Sequence, residues 1–188
     1  TGMPAFDAFP MAQWARMQAR YWRSPRAEIM SYPDAAGLPA LREAICRHLR
    51  ANRGLTCAPG EVFVFAGAQD AFLQIAQILL EPGDPVWIEN PGAIGARNAF
   101  LSRGVRLVPV PVDAQGLDVA AGRAAAPAFR AAFVTPAHQH PLGMPMSRDR
   151  RFELLAEAER AGAWVIEDDY VGEFHYGRAP LPPLKALD

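Results

Sequence analysis

The sequence predicts an α/β protein with a doubly wound, mostly parallel sheet and helices on both faces. Three observations predict it. From residue 61 onward, short apolar runs alternate with stretches of helical period, giving five strands separated by helices. Glycines fall at the strand-to-helix corners, as at Gly67 and Gly92. The last run, Trp164 to Ile166, breaks into Glu167, Asp168 and Asp169, so it presents charge at the carboxyl edge of the sheet, where open α/β sheets hold their ligands.

The chain opens on an aromatic-rich stretch, residues 1–33, read as an N-terminal arm and helix. Pro10 followed by MAQWARMQARYW predicts a helix with Met11, Trp14, Ala15 and Met17 on one face. Such an arm packs on another surface more readily than it folds alone, and a partner subunit is one candidate. Asp34 and Gly37 form the entry to a second helix, Pro39 suits its first turn, Leu41, Ile45 and Leu49 make its apolar stripe, and Gly54 ends it.

The alternation then begins. EVFVFAG (61–67) is the first expected strand, and AQDAFLQIAQILL (68–80) a helix turning Phe72, Ile75, Ala76 and Leu79 inward. VWIEN (86–90) is the second strand, GAIGARNAFLSRG (92–104) a short helix, and VRLVPVPV (105–112) a third strand whose prolines point to a sheet edge. Residues 113–130 read as an extended polar connection with a turn of helix near Asp118. AAFVT (131–135) is the fourth strand. Ser147 caps a helix to Arg160 that carries Phe152, Leu155 and Ala156 inward, with Gly162 after it. The run at Trp164 is the fifth strand, expected to be buried.

Composition bounds the function. The 188 residues suffice for one sizeable core, and 51% hydrophobic with 21% charged residues is a globular balance. A formal net charge of −1 argues against this segment binding nucleic acid by itself. Two cysteines, Cys46 and Cys57, make neither a disulfide framework nor a metal knuckle, so a reducing, cytoplasmic setting is expected. No run reaches membrane-spanning length, and no membrane partner is expected. The chain starts at Thr1-Gly2 and not at methionine, so its natural beginning is expected elsewhere. Lys185 is the single lysine; any chemistry needing an amine must use it or do without.

Four stretches carry candidate chemistry. At the fifth strand's end, Asp168 and Tyr170 are two apart and would lie on one side, an anionic acceptor beside a phenol suited to a flat, cationic, hydroxylated ring. A solvated acidic loop is the plainer alternative. In GAQDAF (67–72), Gly67 permits a tight turn, and the amides of Ala68 and Gln69 are free donors at a helix start, which favours a phosphate; a simple βα corner explains the glycine equally. ENPGAIGAR (89–97) is a second loop at the same edge, and Pro91-Gly92 alone account for a turn there. TPAHQHPLG (135–143) is a third, with His138 and His140. Together with Asp168, Asp169, Glu173 and His175 these could suggest a metal, but the proline-rich loop, the lack of a nearby cysteine and the lack of a helical ligand pair count against it.

The order of these loops is more specific than any one of them. YPDAAGLPALREAI (32–45), FAGAQDAF (65–72), WIENPGAIGAR (87–97), VPVPVDAQGLDV (108–119), VTPAHQHPLGMPMS (134–147) and WVIEDDYVGEFHYGRAPLPPLKALD (164–188) together resemble the pyridoxal phosphate-binding large domain of fold-type I, class I and II aminotransferases. More narrowly, the chain is similar to the aminotransferase-like effector domain of MocR-type regulators of the GntR family. The resemblance implies pyridoxal 5'-phosphate as cofactor, with Gly67, Ala68 and Gln69 cradling its phosphate. Asp168 would pair with the pyridine nitrogen and Tyr170 would bond the ring's phenolic oxygen, while His138, Gln139 and His140 would line the pocket. His140 stands where asparagine is commoner in the enzymes. It also implies a homodimer, a small amino compound or amino acid as ligand, and DNA contact only through a separate N-terminal winged helix-turn-helix.

Departures accompany it. The aromatic that often stacks on the ring is Ala93 here, and the family's D-S is Val171-Gly172. The Schiff-base lysine of the family lies downstream, and Lys185 falls at a linker position. Residues 34–188 are therefore expected to be an incomplete large domain holding strands one to five, without the small C-terminal domain. Its first strand is expected to lack a neighbour. No catalytic residue is assigned to this chain; cofactor binding is expected to be non-covalent at most, and transamination absent. Two rival readings remain open: a free-standing aminotransferase, and a structural module that has lost the cofactor.

Overall fold

Along β1 (Pro85–Asn90) consecutive side chains leave the sheet in opposite directions, and the two directions end in two separate cores. Val86 and Ile88 enter one, with Phe72, Ala76, Ala96, Ala99, Phe100, Ala131, Phe133 and Ile166. Trp87 enters the other, with Val108, Val110, Val119, Phe129, Ala132, Val134, Leu154 and Ala158. The computed structural model describes residues 3, 5–24, 30–174 and 181–188. Helix α1 is Met11–Trp22, α2 Pro39–Arg53 and α3 Ala68–Leu79; after β1 come α4 (Ile94–Ser102), β2 (Arg106–Asp113), β3 (Gly116–Leu117), α5 (Val119–Ala125), β4 (Ala131–Val134), α6 (Arg148–Ala161) and β5 (Trp164–Glu167).

The strand order is β3-β2-β1-β4-β5. Strands β1, β2, β4 and β5 are parallel, and β3 pairs antiparallel with the end of β2. Helices α3 and α4 cover one face, while α5 and α6 cover the other, so the expected doubly wound sheet is what forms. The chain passes from β1 to β2 on one side and later places β4 on β1's other side. The carboxyl ends of β1 and β4 thus flank a topological switch point, the crevice where such sheets bind ligands.

Local chemistry explains the element ends. Gly54 and Gly162 end α2 and α6 in the left-handed region, at φ 64° and 61°. Ser147 accepts from the Arg150 amide at 3.2 Å and starts α6. In the second core the Trp87 indole stacks on Phe129 at 3.8 Å and donates to the Ala126 carbonyl at 3.1 Å. Gly122 makes this possible, because a Cβ there would stand 2.8 Å from the Trp87 ring.

Four expectations are corrected. EVFVFAG (61–67) forms no strand: a turn at Pro59–Glu61 leads into an extended run whose Phe63, Val64 and Phe65 are exposed. Among the described residues its backbone partner is the 34–37 turn, whose Ala36 carbonyl takes the Val64 amide at 2.9 Å, and one such bond does not make a ladder. Residues 113–130 are not a polar connection; they hold β3 and α5, capped by Asp118, and bury Leu117, Val119 and Phe129. In α6 the inward stripe is Arg151, Leu154 and Ala158, whereas Phe152 and Ala156 are exposed. Phe152 instead lines an open groove with Leu155 and Trp164. Finally, among the described residues β5 is an edge strand paired with β4 alone, so Ile166 alone is buried in it and Trp164 is half exposed.

The two N-terminal helices form where expected, yet neither contains a buried residue. Met11, Trp14 and Met17 on α1 are exposed. Cys46 and Cys57 are free, with their sulfurs 3.4 Å apart. Among the described residues no helix is long and apolar enough to cross a membrane. His175 lies outside the described residues, and among those described no cluster of three metal-ligating side chains occurs.

Candidate functional site

Three consecutive carboxylates at the end of β5 meet three different fates. Glu167, the last strand residue, accepts the Leu184 amide at 2.9 Å and faces the Leu184–Ala186 turn. Asp169 is ion-paired with Arg53 of α2, which also donates to the Gly172 carbonyl. Asp168 has no side-chain hydrogen bond among the described residues, although its amide continues the ladder to the Val134 carbonyl at 2.9 Å. Burial and the neighbouring Asp169 charge push the Asp168 carboxyl up from its ordinary value, against the opposing pull of His140.

Tyr170 lies beyond the strand end at Glu167, so strand alternation does not place it. It reaches Asp168 by another route. Its hydroxyl donates to the His138 carbonyl at 3.0 Å, and its ring meets the His140 ring edge-on at 6.1 Å. Burial, then the Asp168 and Glu89 charges, push the phenol up, so it stays protonated and a donor at neutral pH. Asp168, Tyr170 and His140 therefore form one group at the carboxyl edge.

The expected phosphate corner is at the same edge. Helix α3 runs back toward the start of β1, which puts its N-terminus at the strands' carboxyl ends. Gly67 precedes it and no side chain caps it, so the first-turn amides, those of Ala68 and Gln69 among them, keep the donor character that suits an anion. The Gln69 side chain packs against Gly95 at the start of α4, so closely that any Cβ at Gly95 would strike it. Ala93 is the residue before α4 and packs toward the first core.

The histidine loop differs from expectation in one respect. Gln139 does not line a pocket; it is sealed at 1% exposure, with its amide turned to the Glu89 carboxylate and to the Pro91 and His140 carbonyls. Glu89, on β1, is buried with burial pushing its carboxyl up. Sequence reasoning missed it, although two-residue alternation from the buried Trp87 pointed Glu89 to the same interior face. His138 presents its carbonyl to Tyr170 and leaves Nδ1 buried without a partner among the described residues. Lys185 lies in the Leu184–Ala186 turn that packs on Glu167, and its exposed amine pairs with Asp188 at 3.3 Å.

A doubly wound sheet with a free half-buried carboxylate, a phenol and an uncapped helix start at one edge of a switch point defines a class, the α/β proteins that hold a small ligand there. Comparison gives the family: the chain belongs to the aminotransferase class I and II family, whose profile matches residues 2–185. A probable rhizopine catabolism regulatory protein, MocR of Rhizobium meliloti, is 41% identical over 187 residues, covering 100% of this chain and 38% of that protein. An archaeal alanine:glyoxylate aminotransferase structure superposes with TM-score 0.92 at 29% identity, over 100% of this chain and 48% of that one. The α-aminoadipate aminotransferase LysN of Thermus thermophilus, complexed with N-(5'-phosphopyridoxyl)-L-leucine, gives TM-score 0.88 at 30% identity, over 100% and 47%. The chain thus spans less than half the length of each.

Proposed function

We propose that this chain supplies most of the cofactor-holding face of a pyridoxal 5'-phosphate-binding, aminotransferase-like domain in a MocR-type transcription regulator. In this reading residues 34–188 belong to the large domain and residues 1–33 to an arm that packs on a second subunit of a homodimer. DNA contact belongs to a separate winged helix-turn-helix. The similarity to the Rhizobium meliloti regulator, at 41% identity, favours regulation over the enzymes matched at 29% and 30%. An amino acid or other amino compound is the ligand class that fits such a regulator.

One observation carries the reading: of two adjacent aspartates, Asp169 already has its cation in Arg53, and Asp168, half-buried with its carboxyl pushed up, has no side-chain partner among the described residues. A carboxylate in that condition gains most from a cationic N–H brought beside it. Asp168 would hold the protonated pyridine nitrogen, and Tyr170 would donate toward the ring oxygen. Gly67, Ala68 and Gln69 would take the phosphate on backbone amides. When bound, the cofactor supplies an electron-withdrawing ring. This chain's residues bind and orient it; Lys185, exposed and paired with Asp188, gives no covalent anchor at that edge.

The test is a titration of pyridoxal 5'-phosphate into the intact protein and its variants, followed by absorbance. Asp168→Asn should weaken binding by roughly ten- to a hundredfold, the worth of a charge-assisted hydrogen bond, while Asp169→Asn binds as the parent does. Equal losses would assign the wrong carboxylate. A parent protein that takes up no cofactor favours the structural module instead. Transamination by a protein carrying this chain without a DNA-binding region favours the free-standing enzyme.

A further inference from the structure

Behind the ring of His140 lies a polar network sealed from water. Glu89 is 4% exposed, and three donors converge on its Oε2: the Thr135 hydroxyl at 2.6 Å, the Gln139 amide at 3.2 Å and the Thr135 backbone N–H at 3.3 Å. Its Oε1 is buried with no partner among the described residues. The Gln139 amide also donates to the Pro91 and His140 carbonyls, both at 2.8 Å, and its oxygen accepts the Leu142 amide at 3.0 Å. The Thr135 hydroxyl, while donating to Glu89, accepts the His140 N–H at 3.0 Å.

The consequence for His140 is specific. Its backbone N–H is held by Thr135 and its carbonyl by Gln139, and both holders are fixed by one oxygen of Glu89. Only the imidazole is left to point elsewhere. It lies edge-on to Tyr170, and its charge acts on Asp168. A buried carboxylate served, among the described residues, by neutral donors and no cation is an expensive way to anchor a turn, since apolar packing of the same shape would do so at lower cost. What the polar version adds is a fixed direction for each bond.

We propose that Glu89, Thr135 and Gln139 are positioning residues that set the His140 imidazole against Tyr170 and Asp168. They reach His140 through its peptide groups and touch no ligand themselves. The identity of the ligand rests on the reading under the previous heading; the positioning itself does not.

The experiment uses the intact protein without cofactor, with histidine isotopically labelled, and reads the nuclear Overhauser cross-peak between the His140 and Tyr170 rings. The parent should show it. Thr135→Val and Glu89→Ala should lose it and shift the His140 ring resonances, while Thr135→Ser and Glu89→Gln retain it. His48, exposed on α2, should not move in any variant. A Thr135→Val protein that unfolds at lower temperature but keeps the cross-peak overturns the proposal, because the network would then be structural only. Should Glu89→Ala fail to fold, the Thr135→Val and Thr135→Ser pair decides alone. Titrating the same proteins with pyridoxal 5'-phosphate separates the two ideas. Absent binding in a parent that shows the cross-peak removes the cofactor reading alone, and a parent that binds but lacks the cross-peak removes the positioning alone.

Discussion

Glu89 and Glu157 are the two most deeply buried acids described, at 4% and 3% exposure, and they are treated in opposite ways. Glu157, on the flank of α6, is covered by its own cations: Arg160 grips one carboxylate oxygen and Arg123 the other, the latter at 2.9 Å. These guanidiniums hold its carboxyl below the ordinary value against the effect of burial. Glu89, at the carboxyl edge, has only neutral donors among the described residues, and burial pushes it up. Asp168 and Glu167 at the same edge are pushed up by burial as well. The flank neutralises its buried charge within the fold. The edge leaves acids without a cation among the described residues, which costs stability and supports the ligand-holding role proposed for it.

The contrast is clearest in Arg151, a buried cation near that edge. At 2% exposure it could have answered Glu167 or Asp169, yet its guanidinium donates to the Met146, Pro136 and Pro182 carbonyls at 3.1, 2.6 and 2.9 Å. It clamps the loop after β4 to the segment before the Leu184–Ala186 turn. Arg151→Met should therefore give the largest loss, about 3 kcal/mol, because three hydrogen bonds from a buried cation go at once and, among the described residues, only the Pro136 carbonyl keeps a second donor, the Met146 N–H. Arg160→Met, removing a half-exposed guanidinium whose partner Glu157 keeps Arg123, should cost far less. Urea denaturation midpoints check both, and equal losses would break the contrast between edge and flank.

The two glutamates should also bend stability against pH in opposite senses. Glu89 has a raised folded value, so the native state keeps its proton longer than the unfolded chain does. Its contribution is complete below the ordinary value of 4.5 and is lost as pH rises through the folded value. Glu157 has a lowered folded value, so its contribution is present above 4.5 and lost as pH falls through the folded one. Glu89→Gln should gain on the parent as pH climbs, whereas Glu157→Gln should fall behind at neutral pH and rejoin it in acid. Thermal unfolding at a series of pH values reads both, and slopes of the same sign for the two variants would refute the assignment.

Much of this was legible in the residues. Alternation from residue 68 onward gave β1, β2, β4 and β5 with helices α3, α4 and α6, because each of these elements carries its own period. Where a partner decides, the sequence was mute. EVFVFAG has strand composition, but a strand exists only beside another, and here the 34–37 turn lends it one bond. In α6 the residues expected inward, Phe152 and Ala156, are apolar and exposed, while an arginine at 151 is buried; composition could not say that three carbonyls would wait for it. Asp168 was legible from its place after a strand. What singles it out from Asp169, the pairing of Asp169 with Arg53 from 116 residues earlier, is a long-range contact that no local pattern announces.

That pairing gives the smallest predicted effect and the finest test of the contrast. Asp169 lies at the edge but is handled as the flank handles its acids, with a cation in contact. Arg53 keeps the Gly172 carbonyl if the carboxylate is neutralised, and Asp169 is itself 27% exposed, so water can serve whatever is left. Asp169→Asn should therefore cost under about 1 kcal/mol in a denaturation midpoint, the range of partly exposed ion pairs. A second consequence follows at Asp168, whose carboxyl is pushed up partly by the Asp169 charge. Removing that charge should let Asp168 ionise more readily, so the small loss in stability should come without a loss in cofactor affinity. A large loss of both would mean that the two aspartates act as one unit, and that the edge does not divide its acids between holding the fold and holding a ligand.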